Sequence, residues 1–152
     1  MKDMVAMNRQ HKGFSLVELM VTVAVVATIA AVAIPSYRQY VMRASRADAT
    51  AALLRLASNQ ERFYLQNNTY ASDAEMGDAP PDGLGMAGTE RGFYALSIES
   101  DDLTARYLAK ATVAVGEDQE DDTDCVEFSV NEQGLRAAEN SDGGDNTDRC
   151  WR

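Results

Sequence analysis

Three groups of residues in this 152-residue chain could do chemistry by their type and spacing. Glu18 is the one ionisable residue between Phe14 and Ile34, a run of 21 residues. A carboxylate there costs a few kcal/mol on insertion scales unless it meets a cation or reaches the lipid headgroups. Near the end of the run, the headgroups are the simplest partner. A cut after Gly13 would supply another, because the new α-amino group of Phe14 would lie four residues before Glu18. On one helix these two are neighbours; between two staggered helices the pair would fix axial register, a use better suited to a buried ion pair than stability is. Cys125 and Cys150 are the only cysteines. In a chain with a membrane-targeting segment, that parity reads as one disulfide in an oxidising compartment, two unrelated thiols being the alternative. The bridge would close 24 intervening residues, worth about 3.5 kcal/mol on the chain-entropy model. The third group is the run from Glu117 to Asp124, with six acids in eight residues. Oxygen-rich loops can hold Ca²⁺, but this spacing fits no defined loop, and neither does Asn140-Ser141-Asp142-Gly143-Gly144-Asp145. A solvated, self-repelling loop is the expectation. Nothing assembles a catalytic set. The single histidine, His11, precedes the apolar run, and neither cysteine has a histidine partner. No enzyme activity, metal or cofactor is expected.

The elements that must position these groups follow from the apolar pattern. Phe14 to Ile34, at about 1.5 Å per residue, makes a helix roughly 30 Å long, the thickness of a hydrocarbon core. Lys2, Arg9 and Lys12 precede it, while Arg38, Arg43 and Arg46 follow, so the positive-inside rule does not choose an orientation. The cysteines do, and they place the C-terminal part outside. Pro35 follows the run and should kink or open the helix there, since it removes a donor and clashes one turn back. Beyond it no Gly or Pro occurs until Gly77. Tyr40, Ala44, Ala47, Ala51, Leu54, Ser58 and Leu65 recur at helical spacing, which predicts an amphipathic continuation over 36–66 with that face inward. Asn67-Asn68 is a natural stop. Residues 67–92 read as loop, with Pro80-Pro81-Asp82-Gly83 the clearest turn. Strands are predicted at Phe93–Ile98, Tyr107–Val115 and Cys125–Val130, with a short edge at Leu135–Ala137. An antiparallel sheet of three or four strands needs an apolar cover, and the amphipathic helix is the long candidate for it. The fold class is α+β, with the head at 67–152.

That head is acidic: residues 67–152 carry 20 Asp and Glu against 6 Lys and Arg, net −14. Nucleic-acid binding runs through neutralisation of phosphates by Lys and Arg. It is disfavoured here unless Arg91, Arg106, Lys110, Arg136 and Arg149 converge.

Lys12-Gly13-Phe14-Ser15-Leu16-Val17-Glu18 at the head of an apolar run resembles the class III signal of type IV prepilins. That resemblance implies a leader, residues 1–13, cut after Gly13 by the prepilin peptidase, which also N-methylates Phe14. It implies that residues 14–35 anchor in the inner membrane and later pack in a filament, that Glu18 aligns subunits during assembly, and that Pro35 ends the apolar half. Many family members have glycine where this chain has Ala27. Gln60 to Tyr70, and the ending Gly143 to Arg152 with Cys150-Trp151, are similar to PilE-type minor pilins. The implied function is a subunit that enters or primes a type IV pilus serving twitching, adhesion or uptake. Its partners would be other pilin subunits, the prepilin peptidase and methyltransferase, and the pilus assembly machinery. It would lie in the inner membrane, single-pass with its head outside, and then in the extracellular pilus. A type II secretion pseudopilin also resembles it, and some of those hold calcium in the head. A reading of another class takes Ala31-Val32-Ala33 as an ordinary signal peptidase site, releasing a soluble domain that starts near Ile34.

Overall fold

The computed structural model describes residues 13–116 and 118–152; residues 1–12, with the basic leader and His11, and Glu117 of the acidic run lie outside the described residues. Two compact units divide between Gln39 and Tyr40. One helix, α1 (Leu16–Asn67), contributes to both.

In the first unit α1 begins when the Ser15 carbonyl accepts the Leu19 N–H at 3.1 Å. The large apolar side chains from Phe14 to Ile34 are exposed. Two hydroxyls among them, and one just beyond, bond within the helix: Thr22 donates to the Glu18 and Leu19 carbonyls, Thr28 to Ala24 and Ser36 to Val32. These three hydroxyls are thus satisfied without a partner outside the helix, as an apolar medium would require. The opening expected at Pro35 is absent, for α1 is helical on both sides of it. The proline removes one ladder bond, the one to the Ala31 carbonyl, and the Ser36 hydroxyl separately donates to the Val32 carbonyl at 2.9 Å. Helical structure also runs through Ala27, where alanine favours helix by about 1 kcal/mol over glycine.

In the second unit the rest of α1 packs on a four-stranded antiparallel sheet of β1 (Tyr94–Glu99), β2 (Leu108–Val113), β3 (Glu127–Asn131) and β4 (Arg136–Glu139), in that spatial order. Central pairings include Leu96 with Ala111 and Ala111 with Phe128. A single helical turn, α2 (Thr147–Cys150), follows. Tyr94, Leu96, Ile98, Ala109, Ala111, Phe128, Val130 and Ala138 point into a core shared with α1. The helix ends where Asn68 takes φ 55° and its N–H bonds the Tyr64 carbonyl at 2.8 Å. Asparagine tolerates that left-handed conformation.

The buried face of α1 is not the expected one. Ser45, Ala49, Ala52, Leu53, Leu56, Gln60 and Phe63 are inside, whereas Tyr40, Leu54 and Leu65 are exposed at 65%, 42% and 82%. At 100° per residue the two stripes lie on opposite sides of the helix. The inner one was hidden because it carries two polar residues. Each is satisfied: Ser45 donates to Val41, and Gln60 both donates to the Ala71 carbonyl and accepts its N–H, each at 2.8 Å. Buried polar groups with such partners cost little.

The Gln60 pair also draws residues 67–92 onto the helix, so this stretch is more ordered than a plain loop. Leu84 and Met86 are buried, and Asn59 donates to the Leu84 carbonyl at 3.1 Å. At Gly83 a Cβ would collide with the Glu75 carbonyl and the Asp78 side chain, so only glycine closes this turn. The Glu75 carboxylate receives both the N–H and the hydroxyl of Ser72 at 2.7 Å. These bonds hold its pKa below the usual carboxylate value.

Adjacent leucines test the orientation of α1. Leu53→Ala is expected to cost the head about 2–5 kcal/mol, and Leu54→Ala less than about 1 kcal/mol. Denaturant melts followed by Trp151 fluorescence would read both, and equal costs would contradict this packing.

Candidate functional site

The residues singled out from Gly13 to Glu18 sit at the very start of α1. Gly13, Phe14 and Ser15 precede the helix and are exposed, and nothing lies within 4 Å of a Cβ built on Gly13. Glu18 falls in the first turn of α1, where unpaired N–H groups and the positive end of the helix dipole favour a carboxylate. That local stabilisation adds to the headgroup and α-amino partners considered from sequence. Phe14 lies outside the helix in this uncut chain, so the structure does not present residues 14 and 18 as neighbours on one helical face.

The head contains a buried polar network that the sequence did not disclose. Arg46 of α1 makes a bidentate pair with Asp122, its Nε and Nη2 each 2.6 Å from a carboxylate oxygen. Asp122 is 2% exposed. It also accepts from Gln119 Nε2 at 2.8 Å and from the N–H groups of Asp124 and Cys125. Gln119 donates in addition to the Tyr94 hydroxyl at 3.1 Å, and Tyr94 donates to the Cys125 carbonyl at 3.0 Å. The bond to Asp122 raises the Arg46 pKa against the opposing effect of burial. Tyr94 is also pushed well above the usual tyrosine value, chiefly by burial and then by the Asp122 charge.

The acidic run is therefore not solvated throughout. Asp124 adds a bond to Arg149 of α2 at 2.7 Å and lies 3.8 Å from Arg46. The Glu120 carboxylate accepts the Gly116 N–H at 2.7 Å. Two arginines and local backbone groups relieve repulsion that the spacing alone implies. The clue was Arg46 itself, whose partner 76 residues away local pattern cannot name. Among the described residues, no group of three or more His, Cys, Asp or Glu could hold a metal ion.

Directly after this network comes the disulfide Cys125–Cys150, with Cα atoms 5.8 Å apart and both residues buried. The bridge, Asp122 and Arg46 thus tie the C-terminal loop to α1 in covalent and ionic steps. Trp151 packs edge-on against Phe128 at 5.9 Å between centroids, donates Nε1–H to the Ala137 carbonyl at 2.8 Å, and carries the Arg136 guanidinium 5.0 Å above its ring.

Two other cations noted in the sequence face nearby carboxylates. Arg106 pairs with Asp101 at 2.9 Å, and Lys110 with Glu99 and Glu127 at 3.1 and 3.4 Å. At Arg91 the backbone N–H bonds Asp48 at 3.0 Å. An open depression beside the β1–β2 turn is lined by Glu99, Asp101, Glu132 and Arg106, among others, and offers no nucleophile–base pair.

A family model described as the type IV minor pilin ComP, DNA uptake sequence receptor, matches residues 35–129, more than half of the chain. One described as the prokaryotic N-terminal methylation motif matches residues 8–34. The type IV major pilin PilA of Myxococcus xanthus (strain DK1622) is 32% identical over 107 residues, covering 70% of this chain and 46% of that protein. The type IV major pilin PilE1 of Neisseria gonorrhoeae is 30% identical over 110 residues, covering 72% and 43%. The chain spans about half the length of these relatives. A solved type IV pilin from Shewanella oneidensis covers 62% of this chain and 89% of that one, at 20% identity and a TM-score of 0.45. That likeness is too loose to add to the family match.

Replacing Arg46 by Met would leave Asp122 buried without its cation. The head is expected to lose about 3–5 kcal/mol, with Arg46→Lys losing less because it keeps the charge but not the bidentate geometry. Equilibrium denaturation of both variants measures this; a loss below about 1 kcal/mol for Arg46→Met would show that the pair does not hold the loop.

Proposed function

This chain belongs to the type IV pilin family, and from that premise we propose that it is a minor subunit that enters or primes a pilus filament serving twitching, adhesion or uptake. The observation that carries this reading is the first unit of α1. It is long and apolar enough to cross a membrane, and none of its most apolar window is buried by its own chain. Two surroundings can cover such a surface, a bilayer or the matching helices of other subunits. Lipid tails are as apolar as leucine, so moving between the two gains little from the hydrophobic effect. Polar pairing then decides register, and Glu18 is the residue placed to supply it. The outward stripe of α1 in the head, with Tyr40, Leu54 and Leu65 exposed, offers neighbours a second apolar surface.

On this reading the prepilin peptidase cuts between Gly13 and Phe14 and methylates Phe14. The chain waits in the inner membrane, single-pass with its head outside, until the assembly machinery passes it into the extracellular fibre. Its work is structural, not catalytic. The relatives named above are major pilins, whereas the family model over residues 35–129 describes a minor one. The minor role follows that family match and the likeness of Gln60 to Tyr70 and of the C-terminal ending. Reception of DNA belongs to the proteins that define the family model. We do not extend it to this head, because its net charge is −14 over residues 67–152 and Arg106, Lys110 and Arg149 already face carboxylates. A secretion pseudopilin is the weaker reading, since the relatives and the family model are pilus subunits.

Glu18→Ala tests the assembly role. The variant should reach the membrane with its head folded, yet its share of sheared surface filaments should fall by about tenfold or more, the ratio for ~1.4 kcal/mol of lost pairing. Normal incorporation would remove Glu18 from the mechanism.

A further inference from the structure

We propose that the Cys125–Cys150 bond is made last, on a head already docked. Cys150 meets an external disulfide oxidant, and Cys125 resolves the resulting mixed disulfide. Each cysteine is flanked on both sides by residues that are held without it. Before Cys125, the Asp124 carboxylate pairs with Arg149 at 2.7 Å, and the Asp124 carbonyl accepts from Asn146 Nδ2 at 3.0 Å. After it, the Val126 N–H bonds the Glu139 carbonyl at 3.0 Å. Arg149 immediately precedes Cys150, so one ion pair joins the neighbours of both sulfurs. Trp151 follows Cys150 and donates to the Ala137 carbonyl at 2.8 Å. The turn α2 is tied to β4 as well. The Asn146 N–H bonds the Ala138 carbonyl at 2.8 Å, and the Thr147 hydroxyl accepts the Ala138 N–H at 2.9 Å. In an unfolded chain, two cysteines 25 residues apart meet rarely. These contacts raise the effective concentration of each for the other before any covalent bond exists.

The two cysteines are tied differently, and that sets the order of the chemistry. The Cys125 N–H bonds the Asp122 carboxylate at 3.3 Å, and its carbonyl accepts the Tyr94 hydroxyl at 3.0 Å. The next residue bridges two strands, because the Val126 carbonyl also accepts the Val113 N–H at 2.9 Å. Cys125 therefore cannot move without breaking the buried Arg46–Asp122 network and the sheet. Cys150 ends a single helical turn, and its N–H bonds the Asn146 carbonyl at 3.1 Å. Releasing the Arg149, Asn146, Thr147 and Trp151 contacts lifts this turn alone, and local opening costs less than global unfolding. Both cysteines are buried when docked, so the oxidant takes the one that can lift. The Cys150 thiolate attacks one sulfur of the oxidant, whose S–S bond breaks as the other sulfur leaves as a thiolate. When α2 redocks, the Cys125 thiolate attacks the Cys150 sulfur. The Cys125–Cys150 bond forms, and the oxidant's second half leaves as a thiolate. Two protein thiols are oxidised, one external disulfide is reduced, and the two departing thiolates take up the two protons. Arg149 is a positioning residue for the second step, and the first step does not use its pairing.

The test starts from the reduced full-length chain in detergent micelles, with oxidised glutathione as the oxidant. Samples are quenched with acid, alkylated and read by intact mass. In Cys125→Ser, the Cys150 adduct is expected to form about tenfold faster than the Cys125 adduct forms in Cys150→Ser, the ratio for ~1.4 kcal/mol of easier opening. Equal rates, or a faster Cys125, overturn the assigned order. With both cysteines present and glutathione high enough that entry outruns closure, the decay of the Cys150 adduct reads the second step. Arg149→Gln should slow that decay about threefold, the worth of an exposed ion pair, while adduct formation stays as fast or rises. Arg149→Lys should restore it. Closure untouched by Arg149→Gln, or entry slowed in parallel with closure, overturns the positioning role. A Cys125→Ala/Cys150→Ala chain tests docking without the bond. Trp151 should keep the fluorescence of the bridged chain, and the spectrum of a water-exposed Trp151 would overturn docking before oxidation.

Discussion

An apolar helical surface that its own chain cannot cover constrains everything else in this protein. Twelve large apolar side chains between Phe14 and Ile34 are exposed. At about 1.5–3 kcal/mol each, leaving them in water would cost roughly 20–35 kcal/mol, more than the net stability of a typical domain. A covering medium or partner is thus obligatory. The details of α1 fit that requirement. In its apolar run the Thr22 and Thr28 hydroxyls turn back onto helix carbonyls, and the one carboxylate of that run, Glu18, sits in the first helical turn. Because bilayer and helix bundle cover such a surface equally well, the proposed function lets one segment serve as an anchor first and as filament core later.

The head meets a different demand, which is to stay clasped to the second part of the same helix. Covalent continuity joins helix and sheet only through residues 68–93. Gln60 closes the near end of that connection by taking both backbone groups of Ala71. Arg46 works about four turns earlier on the helix, where it holds Asp122 just ahead of the disulfide. The acidic surface left over keeps heads soluble and discourages them from collapsing on one another.

How much of this was legible in the sequence depended on the range of the interaction. The membrane-length run, the stop at Asn67-Asn68 and the four strands are written in local pattern, and the structure shows them within one or two residues. The inner face of α1 was not legible. Its helix is apolar on two opposite sides, and the more uniform stripe, with Tyr40, Ala47, Ala51 and Leu54, is the one that faces away from the sheet. Ser45 and Gln60 disguised the other side, and their partners become visible only in three dimensions. Arg46–Asp122 was hidden for the same reason, as an acid in a crowded run looks solvated until its distant arginine is placed. At Pro35 the sequence reads as a kink or an opening, and α1 is helical on both sides of it.

The most direct test of the central claim is the mass and N-terminal sequence of the chain in two fractions, inner membranes and sheared surface filaments. If one apolar segment serves both, each fraction holds a chain that starts at Phe14 and is one methyl group heavier than its sequence. A chain beginning near Ile34 and free of the membrane would contradict the account, because the surface on which it depends would have been discarded before assembly.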